Sequence, residues 1–148
     1  MVMKEIILPF LGSLAPAILF NTSRKKLIWC GFSGVAGWVA YKLLLRITGD
    51  VVLSIFAGSI AIGLYSETMA RILKTPATVY TLPGIYPIVP GVPAYYTIEF
   101  LVKHDLINAA STGLETIASA GAIAFGIMLM SAVFRLFSKA THGDSSPE

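Results

Sequence analysis

Long apolar runs separated by short polar clusters dominate this chain, and most are close to the length of a membrane-crossing helix. The first covers about residues 5–21 and ends at Asn21-Thr22-Ser23-Arg24-Lys25-Lys26, with Pro9 and Pro16 predicting bends along it. The second covers residues 27–45 and carries Gly31, Gly34 and Gly37, with Ser33 four positions before Gly37. Small residues at that spacing let helices approach closely in lipid. Arg46 to Asp50 reads as a turn, and a third helix follows over residues 51–74 with stripes at Ala57/Ala61 and Ser59/Gly63. Near its end Glu67 precedes Arg71 by four positions, the favourable order for a pair on a helix surface. A last run, residues 108–137, carries Ala118/Ala122 and Ala122/Gly126, and residues 139–148 read as a disordered polar tail.

One stretch breaks the pattern. Residues 75–93 hold five prolines and two glycines among apolar and hydroxyl-bearing residues, with no charge. Each proline inside a helix removes a backbone bond and clashes with the preceding turn, at about 3 kcal/mol. The element over residues 76–103 is therefore expected as two half-helices around a break, the second starting at Pro93, where proline suits the first helical position. Irregular backbone is not tolerated against lipid, so the break must be shielded by protein or line a wet cavity, as in transporter binding sites.

Composition fixes the environment. The chain has 148 residues, 55% of them hydrophobic and 13% charged, with a mean hydropathy of +0.76. Soluble domains carry about 25% charged residues. The fold class expected is all-α, a polytopic membrane protein of about five transmembrane helices with a proline-broken fourth element, and no separate soluble domain. A cleaved leader is disfavoured, because Pro9 and Pro16 interrupt the first run and Lys4 alone precedes it. The net charge of +3 is spread between the runs and sets topology; it does not mark a nucleic-acid site. With five crossings, Lys4, Lys42, Arg46 and Lys103 share one side, and Arg24, Lys25, Lys26, Arg71, Lys74, Arg135 and Lys139 the other. The richer side is cytoplasmic by the positive-inside rule, which puts the N-terminus outside and the C-terminus in the cytoplasm of a cell (inner or plasma) membrane protein. A re-entrant fourth element would cancel that assignment. The single cysteine, Cys30, lies in an apolar run and is expected to pack.

Chemistry is expected at the break. A helix opening at Pro93 would leave the amides of Val92, Ala94, Tyr95 and Tyr96 without carbonyl partners, favouring an anion such as a substrate carboxylate. Gly84 and Gly91 let a ligand approach the backbone, and Tyr80, Thr81, Tyr95, Tyr96 and Thr97 supply hydroxyls. Ionisable residues within spans are costly and are candidates for proton or charge coupling: Glu115, Glu99, Glu67 and Arg71. Each has a plainer reading: Glu115 at the interface, Glu99 paired with Lys103, Glu67 paired with Arg71. Lys42 is expected to snorkel to the interface. His104 and His142 lack metal-ligand spacing, and no nucleophile triad or phosphate-cradling loop is present, so neither enzyme activity, metal nor cofactor is expected.

Ala15-Pro16-Ala17-Ile18-Leu19-Phe20-Asn21, then Arg24 and Leu27-Ile28-Trp29-Cys30-Gly31, form one set of landmarks. Thr75-Pro76-Ala77 and Pro87-Ile88-Val89-Pro90-Gly91 leading to Ala94-Tyr95 form another. With both sets in order, the chain resembles the threonine/serine exporter family, in its small five-span half, over about residues 8–137. The resemblance implies export of threonine and serine, or of succinate and related dicarboxylates, driven by a proton or membrane-potential gradient. Pro87, Pro90, Gly91 and Tyr95 match the family's signature, and Glu67, Arg71 and Pro76 match its third-helix exit. Pro83, Gly84, Pro93 and Glu99 depart from the expected pattern and leave the substrate open. The implied partner is a larger membrane subunit of the same family, beside the lipid bilayer and a small-molecule substrate; self-association stays open. A non-transporting scaffold or assembly subunit is the alternative reading.

Overall fold

A computed structural model describes residues 2–142, with side chains placed over residues 3–138. Six α-helices follow one another: α1 Val2–Leu19, α2 Arg24–Thr48, α3 Val51–Ile72, α4 Thr78–Ile85, α5 Gly91–Val102 and α6 Leu106–His142. A 3-10 turn, Tyr86–Ile88, lies between α4 and α5. Among the described residues no strand is present. α2, α3 and residues 106–138 of α6 are each long and apolar enough to cross a membrane, as a polytopic membrane protein requires. The backbone of α6 stays helical to His142, past the point where the tail was expected, and residues 143–148 lie outside the described residues.

Local chemistry sets the ends of these elements. Gly49 closes α2 at φ +70°, a left-handed conformation that costs glycine little. Asp50 then caps α3, its carboxylate accepting from the Leu53 amide at 2.9 Å. The turn expected over residues 46–50 is thus shorter, because Arg46, Ile47 and Thr48 continue the helix until the glycine ends it.

Small residues hold the bundle together, as their spacing predicts. Ser33 faces Ser66 at 3.5 Å, and a methyl at Gly37 would meet Ile62 at 2.5 Å, so α2 and α3 pack antiparallel with almost no gap. Gly34 fits against Ser13 and the Pro9 carbonyl of α1. Parallel α3 and α6 interlock where Ser59 donates to the Ala122 carbonyl at 3.2 Å, and where Gly63 meets Met130. Close backbone approach of this kind supplies the van der Waals contact that drives association in lipid.

Further along the α3–α6 seam, the expected Glu67–Arg71 pair is not made. Glu67 accepts from Ser131 at 2.8 Å, and Arg71 donates to the Phe134 carbonyl at 2.8 Å while lying 4.9 Å over its ring. Both side chains reach across to α6, because it runs alongside α3 within hydrogen-bonding distance there. Glu99 and Lys103 do form the expected ion pair.

Helix α4 ends at Ile85 and α5 begins at Gly91, and several backbone groups between them find other partners. Pro83 cannot donate to the Val79 carbonyl, which accepts from the Cys30 thiol at 3.3 Å instead. The Tyr86 amide bonds the Pro83 carbonyl in 3-10 fashion, and Val89 bonds Tyr86 at 3.4 Å before the chain extends through Val89. α5 begins at Gly91, two residues earlier than expected. Pro93 falls in its first turn, where a missing amide is tolerated equally well.

Candidate functional site

The break opens a cavity of about 150 Å³ between the Pro87–Pro93 segment, α2, α3 and α6. Pro87, Pro90 and Pro93 wall one side; Trp38, Tyr41, Ile55 and Ser119 face them. Two buried polar atoms beside it have no protein partner: the Trp38 indole Nε1 and the Ser119 hydroxyl. Ser119 is only 1% exposed, so its oxygen is not satisfied by bulk water either. Orphans of this kind are rare in native interiors, because each costs about 1–3 kcal/mol when left unmade. Both belong to residues that line the cavity.

The start of α5 contributes less than the sequence suggests. The Gly91 amide bonds the Val89 carbonyl at 2.8 Å, and Ala94 bonds Pro90 at 3.2 Å. Tyr95 and Tyr96 lie far enough into α5 to find the carbonyls of Gly91 and Val92. Val92 lines the cavity at the start of α5, the end where the helix dipole favours negative charge.

The other expected site residues scatter. Tyr80 is fully buried far from the break, packed with Ala17 and Cys30, its hydroxyl 3.0 Å from Thr75 Oγ1. Thr81 returns its hydroxyl to the Ala77 carbonyl of its own helix, and Gly84 is a packing glycine against Ser33 and Ile62. Thr97 joins α5 to α6 by donating to Thr112 at 3.1 Å. Tyr95 and Tyr96 meet edge to face, both exposed, and Gly91 borders open space. Glu115 is exposed on α6 and makes no ion pair among the described residues. Of the expected binding residues, Pro87 and Pro90 line the cavity, together with Val92, whose amide was expected to bind an anion. The sequence offers no signal for Trp38; for Ser119 it offers only a hydroxyl near the Glu115 face.

Comparison with known proteins places the chain. The profile of the family described as "Threonine/Serine exporter, ThrE" matches residues 5–133. The chain belongs to that family. A protein of Haemophilus influenzae (strain ATCC 51907 / DSM 11121 / KW20 / Rd), described only as uncharacterized, is 27% identical over 126 residues. The matched stretch is 80% of this chain but 42% of that protein, so this exporter-family chain spans about two fifths of its relative's length. No solved structure matches it.

Proposed function

We propose that the chain is the small membrane half of a two-component secondary exporter of small amino acids such as threonine and serine, or of dicarboxylates such as succinate. The observation that carries this is the cavity at the helix break, lined by Ser119, Trp38 and Val92, with the Ser119 hydroxyl and the Trp38 N–H unpartnered. Those groups orient a hydroxyl and a carboxylate without any metal or nucleophile. Pro87 and Pro90 shape the opening, and Gly91 leaves it unobstructed.

Five crossings are part of the proposal. The broken element starts beside Phe20 and Thr22 at the α1–α2 turn, and its Pro87–Pro93 segment lies beside Tyr41 and Val51, toward the α2–α3 turn. That path runs from one end of the bundle to the other, which supports a crossing over a dip and return. The lysine and arginine distribution then favours an outside N-terminus and a cytoplasmic C-terminus in the cell membrane.

A larger partner is supported by α5. This helix buries none of its residues and packs chiefly on α6, with Tyr95 65% exposed beside Ile98 and Val102. More than half of the Haemophilus influenzae relative lies outside the matched stretch, enough chain for a second half. Glu99, Glu115, Glu67 and Arg71 are the charge-coupling candidates, with Glu115 best placed because it is unpaired. Co-expression with the larger half is expected to lower intracellular threonine, serine or succinate. If the pair leaves all three unchanged, the exporter assignment is wrong.

A further inference from the structure

Where α1 begins and α2 ends, two further cavities, of about 370 and 300 Å³, both border Glu5 and Trp38. Lys4, Tyr86 and Pro87 line the larger, and Lys42 and Arg46 the smaller. Lys42 holds its ammonium 5.3 Å from the Trp38 ring centroid, and the Arg46 guanidinium lies 3.6 Å from the Glu5 carboxylate. Three cations and one carboxylate therefore border two cavities that share the Trp38 indole. Trp38 and Pro87 also wall the cavity at the break, so the charged space and the break are separated by one layer of side chains.

The Glu5–Arg46 contact is loose and partly exposed, a kind worth about 0–1 kcal/mol. A carboxylate from outside can replace it at little cost. A guanidinium presents a fork of donors that matches a carboxylate in two parallel bonds, and Lys42 adds a second charge beside it. We propose that this cluster is a carboxylate-binding site. A small organic acid or amino acid displaces Glu5 from Arg46, with Lys42 and the face of Trp38 completing the contact. As a second station for an exported solute the site rests on the exporter reading; as a binding site it does not.

The sequence holds two tryptophans, so Trp29→Phe leaves Trp38 as the only indole reporter. The test is a fluorescence titration of that full-length variant in phosphatidylcholine nanodiscs with succinate, and with neutral succinamide as control. Succinate is expected to give a saturable change and succinamide none. Arg46→Gln should weaken succinate at least tenfold with Arg46→Lys partly restoring it, and Glu5→Gln should tighten it several-fold by removing the internal competitor. Tightening by Glu5→Gln separates exchange from a merely structural salt bridge, whose loss would leave affinity unchanged or weaker. An equal response to succinamide overturns the proposal, as does an unchanged or weakened affinity in Glu5→Gln. A signal that follows added phosphatidylglycerol but not succinate assigns the cluster to lipid headgroups and also overturns it. Efflux by the assembled pair that neither Arg46→Gln nor Glu5→Gln alters sinks this site but keeps the exporter; Arg46-dependent binding without efflux does the reverse.

Discussion

Replacing Ser119 by alanine tests the site through stability as well as activity. The hydroxyl is buried without a partner, and an unmade bond of that kind costs about 1–3 kcal/mol. Removing the oxygen deletes that cost and leaves only a small void, so Ser119→Ala is expected to stabilise the protein by about 1 kcal/mol. Ser59→Ala is the matched control on the facing helix. Its hydroxyl donates to the Phe56 carbonyl at 2.7 Å and to Ala122 at 3.2 Å, so its loss should destabilise by about 1 kcal/mol. The same chemical change thus moves thermal unfolding in opposite directions, measured side by side in one lipid. If Ser119 serves the solute, its alanine variant should also raise the apparent KM for efflux by the assembled pair about three- to tenfold, the worth of one hydrogen bond. Ser119→Ala falling in stability like Ser59→Ala would refute the orphan assignment, and unchanged efflux would refute its role.

Other expectations follow from the packing. Gly34→Val drives a branched side chain into Ser13 and the Pro9 carbonyl, so α1 should separate from α2; loss of monodisperse protein in size-exclusion chromatography checks this. Tyr65→Phe removes a buried hydroxyl that has no partner and should leave the unfolding temperature unchanged or higher. Arg71→Met breaks the bond to the Phe134 carbonyl at an exposed position, and a stability loss of about 1 kcal/mol or less in chemical unfolding is expected. Tyr95→Phe removes only a hydroxyl from an exposed residue outside the cavity, so it should leave solute affinity intact in the pair, unlike Pro90→Leu, which alters the cavity wall.

That helices end and restart between Ile85 and Gly91 is legible because proline acts locally: five such residues cannot be accommodated by one helix wherever the chain runs. Small-residue spacing likewise announced which faces of α2, α3 and α6 would meet. Side-chain partners across the bundle were not legible, since they depend on register. Glu67 and Arg71 have the right spacing for each other but lie closer to Ser131 and Phe134. Tyr80 sits near the break in sequence, yet α4 carries it back toward Cys30 and Ala17. Trp38 lines the cavity because α2 passes the Pro87–Pro93 segment at that level, which no local pattern states.

The most direct measurement is solute protection of a thiol placed at the break. Cys30 is the only cysteine, so Val92→Cys in a Cys30→Ser background carries one reactive group, on a residue that is 67% exposed and lines the cavity. In the assembled exporter, a small thiol reagent should modify that position, and threonine, serine or succinate should slow the reaction in a saturable way. A labelling rate that no transported solute alters would contradict the claim that the interrupted backbone between Ile85 and Gly91 is where the solute is held.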